Sequence, residues 1–327
     1  MIATRSLGAT GPDVFPLALG CMGMSRMYGP SDERESIATI HAAIDRGVTL
    51  LDTGDFYGMG HNERLIGRAI AGRRDEVVLS VKFGAMRGPD GAWIGVDGRP
   101  AAVKNFCAYS LDRLGVDHID VYRPARVDPN VPIEDTVGAI ADLVKAGYVR
   151  HIGLSEVSAA TVRRAAAVAP IADLQIEYSL ISRGAESTIF PALAELGVGV
   201  TAYGVLSRGL LSGSRPTGPT DFRAYLPRFQ PENLARNEAL VATLTQIAHA
   251  HHATASQVAI AWVLARGPSI VPLIGARTRV QLDEALGAAS LVLEAAEVER
   301  IAREIPQEAV AGTRYAEAHM AHLDSER

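Results

Sequence analysis

Along this chain, short runs of β-branched and aliphatic residues alternate with longer stretches whose apolar positions recur at helical spacing. PLALG (16–20) reads as a strand, and SIATIHAAIDRG (36–47) as a helix stopped by Gly47. VTLLDTG (48–54), NERLIGRAIAG (62–72), EVVLSVKFG (76–84) and AAVKNFCAYSLDRLG (101–115) continue the alternation. HIDVY (118–122) and PIEDTVGAIADLVKAG (132–147) follow, with Pro132 placed to open its helix. The pattern runs on through VRHIGLS, VSAATVRRAAAVA, ADLQIEY, STIFPALAELG and VGVTAYG. A helical stretch over Asn233–Arg266, the strand SIVPLIG (269–275) and a helix from about Arg279 complete it.

This pattern contains eight strands, seven followed directly by a helix and one by a longer excursion. Strands apolar on both faces and separated by helices imply a parallel sheet. Eight such units predict an α/β fold of the (β/α)8 TIM-barrel type, read as one domain over residues 1–327 with an N-terminal hairpin and long loops at the mouth. Residues 212–232, rich in Gly, Pro and aromatic side chains, are expected to form a long functional loop.

Composition narrows the class. Among 327 residues, 48% are hydrophobic and 21% charged, which suffices for a large core. A net charge of −5 gives no basis for a nucleic-acid partner or an anionic membrane surface. The apolar runs are strand-sized, so no membrane span is expected, and the first residues lack the apolar stretch of a secretory signal. Two cysteines, Cys21 and Cys107, cannot form a disulfide framework and predict a cytoplasmic setting. No pattern demands an oligomeric interface.

In such a barrel, residues at strand C-termini and in the loops that follow build the active site. Asp52 ends the second strand, Tyr57 lies in the next loop, and Lys82 is near the end of the third. A tyrosine is a reluctant acid at neutrality; an ammonium nearby favours the phenolate, and a carboxylate can hold that ammonium. The trio suits proton donation to a carbonyl oxygen. The residues alone equally allow a structural ion pair with Tyr57 packed beside it, or Lys82 as a Schiff-base nucleophile. No G-x-G-x-x-G turn opens the first unit, so a nicotinamide cofactor would not bind in the Rossmann manner. His61-Asn62-Glu63 reads as a helix start capped by Asn62, and His249, His251 and His252 as a solvated helix end with no metal site.

The segments LDTGDFYGMGHNERLIGRAI, SVKFG, VRHIGLSEVS, LQIEYSL, TAYGVLSRGLLSG and VPLIGARTRVQLDEALGA occur in the order found in the aldo-keto reductases, and the chain resembles that family from about residue 5 to 290. The resemblance implies NADPH-dependent reduction of aldehydes or ketones, with Asp52, Tyr57 and Lys82 as the catalytic trio and no metal. It implies that Ser155 and Gln175 hold the cofactor's carboxamide, with Glu156 where Asn is frequent, and that Tyr203 stacks on the nicotinamide. Gly204, Val205, Leu206, Ser207, Arg208 and Gly209 would wrap the pyrophosphate. Gly275, Arg277, Gln281 and Glu284 would meet the adenosine end, Arg277 favouring NADP(H) through the 2′-phosphate.

One departure stands out. Most members carry a histidine in a stretch like LHRVDP, and here Tyr122-Arg123-Pro124-Ala125-Arg126-Val127-Asp128-Pro129 puts Ala125 at that position. Tyr57 alone, or a donor from Arg123 or Arg126, would then serve the carbonyl; alternatively the chain is a cofactor-binding regulatory subunit with little turnover, as some channel-associated relatives are. The smaller side chain predicts a wider pocket, with Met24, Tyr28, Phe56, Trp93 and Phe222 as candidate lining for a small carbonyl substrate. Pyridoxal-like, sugar-derived and aromatic aldehydes all fit that description.

Overall fold

The computed structural model describes residues 3–218 and 221–327. The chain enters through an antiparallel hairpin of β1 (Arg5–Ser6) and β2 (Asp13–Val14). The first barrel strand, β3 (Ala18–Gly20), passes through α1 (Glu33–Asp45) to β4 (Leu50–Gly54). Then come α2 (His61–Ala69) and β5 (Val78–Phe83). A second antiparallel hairpin, β6 (Ala85–Arg87) with β7 (Trp93–Val96), precedes α3 (Pro100–Leu114). β8 (Ile119–Pro124), α4 (Ile133–Lys145), β9 (Val149–Ser155), α5 (Ala159–Ala166) and β10 (Ile171–Glu177) continue the alternation.

α6 (Ala185–Thr188) and α7 (Phe190–Leu196) lead to β11 (Gly199–Tyr203). Short 3-10 turns then precede α8 (Pro231–Ala250), α9 (Ala255–Ala265), β12 (Ile270–Gly275) and α10 (Arg279–Leu286). α11 (Ala295–Glu304) and α12 (Glu317–Met320) lie in the C-terminal segment.

The strands close in the order β10-β11-β12-β3-β4-β5-β8-β9. Every neighbour in that ring is parallel. All eight expected strands are therefore present and form the expected (β/α)8 barrel. β4 and β10 are buried along their whole length, which is why they carry apolar residues on both faces. No helix among the described residues is long and apolar enough to cross a membrane.

Local signals behave as their chemistry requires. α3 opens with Pro100 and stops at Gly115, whose φ of 67° is left-handed. Asp32 caps α1 by accepting from the Glu35 backbone N–H at 2.8 Å. Three expectations need correction. The helix over Asn233–Arg266 is two helices, broken because the Thr254 side chain and Gln257 form a reciprocal capping box that starts α9 afresh. Asn62 is not a cap: Gly60 holds that position, and the buried Asn62 amide instead donates to Cys21 O and Ser25 Oγ, both at 2.8 Å. The third strand is not followed directly by its helix: the β6–β7 hairpin intervenes, a pairing too short to show as alternation. Within the predicted 212–232 loop, positions 219–220 lie outside the described residues, and the rest is pinned by Asp221, which accepts from Arg223 Nη2 at 2.7 Å.

Candidate active site

The site starts from strand register. Asp52 pairs with Ser80, Gly54 with Lys82, and Lys82 with Arg123, so these side chains emerge at neighbouring heights on adjacent strands. Lys82 Nζ donates to Asp52 Oδ1 in a pair that is almost wholly buried. Asp52 Oδ2 accepts from Ser80 Oγ at 3.1 Å and from Gln175 Nε2 at 2.7 Å, the latter reaching across the barrel from β10. A buried carboxylate with a cation and two hydrogen-bond donors is fully compensated, which such burial demands.

Beneath this group lies a second buried pair absent from the sequence-derived site. Arg123, fully buried, donates to Asp173 Oδ2 at 3.0 Å and to Ser80 Oγ at 3.0 Å. Thr201 also donates to Asp173. Arg123 is thus tied into the barrel interior and is not available as a donor to a substrate at the mouth.

Tyr57 is set by the turn after β4: its N–H donates to Gly54 O at 3.0 Å, and Asn62 N donates to Tyr57 O at 3.2 Å. Its ring centroid stands 5.1 Å from Lys82 Nζ, and the Phe56 ring meets it edge-on at 4.8 Å. Burial, then the Asp52 carboxylate and Tyr28, push the Tyr57 phenol well above its ordinary range, with Arg126 pulling the other way. Burial above all keeps the phenol protonated, and the Lys82 charge that would favour a phenolate is paired with Asp52. Burial, joined by Arg123 and Arg126, lowers the Lys82 ammonium from its usual value, against the pull of Asp52. Ala125 follows β8 directly, buried, its N–H donating to Phe83 O at 2.8 Å beside Lys82.

The residues expected around a cofactor fall on consecutive strand ends. Ser155 pairs with Gln175, Gln175 with Thr201, and Glu177 with Tyr203. Gln175 spends its amide N–H on Asp52, which leaves its carbonyl oxygen as an acceptor. In the loop after β11, Gly204, Ser207, Arg208 and Gly209 all have positive φ, at 67°, 45°, 56° and 94°. Two successive non-glycine residues in the left-handed region are strained, and such strain gathers at ligand clamps. Val205 and Ser207 are buried and Leu206 is half-buried. At the end of β12, Gly275 has open space where a Cβ would stand. Arg277 Nη1 donates to Tyr28 O at 2.8 Å and Pro30 O at 3.2 Å, while its N–H is held by Gln281 Oε1 at 2.9 Å. Glu284 is half-buried on α10, and its carbonyl accepts from Gln257.

Some side chains stand elsewhere than the sequence implied. Arg208 donates to Glu177 Oε2 at 2.9 Å and lies 4.5 Å over the Tyr315 ring. Glu156, at a φ of 54°, receives Arg314 from the C-terminal segment. Burial opposes its charge, but Arg314 above all, then Arg126 and Ser325, holds its carboxyl down at about 2. Tyr203 and Tyr315 hydroxyls are 3.2 Å apart. Among the pocket candidates, Tyr28 and Phe222 face each other at 6.5 Å. Met24 packs into the core, and Trp93 sits 44% exposed on the β6–β7 hairpin under Arg87. Glu177, Arg314 and Tyr315 are the site residues the sequence reading missed. Glu177 lies inside LQIEYSL, but the C-terminal pair has no local signal, since only the fold brings residue 314 to residue 156.

Comparison with known proteins agrees with this fold. The model of the Aldo/keto reductase family matches residues 16–305. A probable aldo-keto reductase 1 from Glycine max is 41% identical over 318 residues, covering 94% of this chain and 90% of that one. Among solved structures, a glycerol dehydrogenase from Gluconobacter oxydans superposes with a TM-score of 0.83 at 27% identity, covering 98% and 96% of the two chains. An aldo/keto reductase from Klebsiella pneumoniae, solved with NADP and acetate, gives 0.75 at 25% identity over 92% and 95%. A barrel mouth built on Asp52, Tyr57 and Lys82 thus goes with a match along nearly the whole length, and the chain belongs to the aldo/keto reductase family.

Proposed function

We propose that the protein reduces aldehydes or ketones to alcohols with NADPH, Tyr57 being the proton donor. The observation that carries this reading is the buried Asp52–Lys82 pair with the protonated Tyr57 ring 5.1 Å from the ammonium. The residues present fit the cofactor: an acceptor oxygen on Gln175, the buried Ser155, the aromatic Tyr203, the left-handed loop at 204–209, and Arg277 with donors to spare for a 2′-phosphate. When bound, the reduced nicotinamide supplies the hydride. NADP in the Klebsiella pneumoniae relative supports this choice.

The chain's own part is proton delivery and positioning. Tyr57 stays neutral until charge develops on the carbonyl oxygen, then passes its proton there. Lys82 stands beside the resulting phenolate, and Asp52, braced by Ser80 and Gln175, fixes Lys82. Preorganised charge of this kind needs no rearrangement during reaction. We read Ala125 as replacing a histidine donor, which leaves more room beside the carbonyl and asks for an electrophilic substrate. The same methyl group favours a second reading, a cofactor-binding subunit with little turnover. The two free, buried cysteines suit a cytoplasmic setting.

The test is NADPH consumption against a panel of aldehydes, ketones and pyridoxal, with Tyr57→Phe alongside. The reductase reading expects turnover that falls by about two to four orders of magnitude in the variant while NADPH still binds. NADPH binding with no turnover of any panel member would sink it in favour of the subunit. Ala125→His that leaves turnover and substrate range unchanged would refute the wider-pocket argument.

A further inference from the structure

Most cations near the mouth are matched. Lys82 pairs with Asp52; Arg208 and Arg228 share Glu177, at 2.9 and 3.4 Å; Arg314 pairs with Glu156 at 2.6 Å. Arg126, the cation directly after Ala125, makes no ion pair among the described residues. It is half-buried, two residues past the end of β8. Among the described residues its one hydrogen bond goes from Nη1 back to Ala125 O at 2.6 Å, which keeps the guanidinium beside residue 125. A guanidinium carries five N–H donors, so four remain.

The charge of Arg126 reaches the reaction centre. It pulls the Tyr57 phenol down, adds to the lowering of Lys82 and helps hold Glu156 ionised. Its charge is felt by Tyr57, Tyr203 and Tyr315, phenols that carry no charge while protonated, and by Glu156, whose carboxylate is already taken by Arg314. Burying part of a guanidinium without a counter-ion is costly, and a planar donor fork is suited to a bidentate anion. Ala125, whose N–H donates to Phe83 O at 2.8 Å, places this fork next to the end of β5 and the Lys82–Tyr57 group.

We propose that Arg126 is a specificity residue that binds the carboxylate of the substrate, so that the protein's substrates are aldehydes and ketones bearing a carboxylate group. This deepens the reductase reading and rests on it. The carboxylate takes the free edge of the guanidinium, and the carbonyl then lies toward Tyr57. An imidazole at residue 125 would occupy the intervening space, which accounts for a methyl group there.

The test compares para-carboxybenzaldehyde with its methyl ester, the same carbonyl with and without the charge, in wild type, Arg126→Met and Arg126→Lys. The acid should be preferred by wild type, and the acid-over-ester ratio of kcat/KM should fall about ten- to a hundredfold in Arg126→Met, through KM. Arg126→Lys should restore part of the ratio, since it keeps the charge and loses the fork. Calorimetry of para-hydroxymethylbenzoate binding, to NADP+-loaded and cofactor-free protein, reads the same site without turnover and should lose its signal in Arg126→Met. A ratio unchanged by the substitution, or benzoate binding equal in all three proteins, overturns the proposal; a fall in kcat alike for acid and ester belongs to the first case and would make Arg126 a donor to the reacting oxygen. Absence of turnover on both aldehydes refutes the reductase reading separately, with the calorimetry still deciding on Arg126.

Discussion

Arg314 donates two parallel hydrogen bonds to Glu156, Nη1 to Oε1 at 2.8 Å and Nη2 to Oε2 at 2.6 Å, and so ties the C-terminal segment to the end of β9. Ser325 N and Asp324 Oδ2 add contacts to Glu156 O and Ser158 N, at 3.2 and 2.8 Å. This clasp sets Tyr315 against Tyr203 and over Arg208. Removing one partner of a buried pair typically costs about 3–5 kcal/mol. Arg314→Met is therefore expected to free residues 312–327, seen as loss of amide-exchange protection there and early proteolytic cleavage. Protection equal to wild type would show that the remaining contacts suffice.

The same clasp has a defined pH dependence. The Glu156 carboxyl is held at about 2 in the folded chain, below its unfolded value, so its contribution is complete above the unfolded value near 4.5 and is lost as pH falls toward 2. Tail protection should persist at pH 5 and fade below pH ~4. In Glu156→Gln that acid dependence should disappear.

Asp55 has the opposite sign. Burial, against the Gly84 N–H and with the neighbouring Glu63, raises its carboxyl to about 7. The folded chain thus holds a proton that the unfolded chain releases near pH ~4, and this group's contribution to stability falls as pH rises from about 4 to 7. Asp55→Asn should flatten that part of the stability-versus-pH curve measured by urea denaturation. An unaltered curve would show that Asp55 is ionised throughout.

Lys82→Met leaves Asp52 with Ser80 and Gln175 but no cation. A loss on the order of 3–5 kcal/mol is expected, and Asp52→Asn added to it should recover part of that loss. Additive effects in the double-mutant cycle would show that the two residues act independently.

Arg277 keeps donors free beyond those given to Tyr28 O and Pro30 O. Arg277→Ala should weaken NADPH binding about ten- to a hundredfold and NADH binding little, measured by nicotinamide fluorescence. Equal weakening of both would assign Arg277 to the loop at Tyr28–Pro30 rather than to the phosphate.

What could be read along the chain was whatever depends on neighbours in sequence. Leu50–Gly54 and Ile171–Glu177 read as strands because short aliphatic runs mark buried strands, and Gly115 ends its helix because a left-handed residue is needed there. Asp52, Tyr57 and Lys82 were legible because strand ends mark the mouth of a barrel: Lys82 is one residue from the end of β5 and Tyr57 three past β4, while Asp52 stands two residues before the end of β4 rather than at it. What the tertiary structure decided was pairing over distance. Whether Arg123 or Arg126 faces a substrate depends on Asp173, 50 residues away, which draws Arg123 inward and leaves Arg126 at the mouth. Glu156 was marked along the chain only as standing where Asn is frequent; that Arg314, separated from it by 158 residues, holds it appears only in the fold. Hydrophobic periodicity specifies which face of a segment is buried; it carries no record of which charge a buried charge will meet, because that meeting exists only once the barrel has closed.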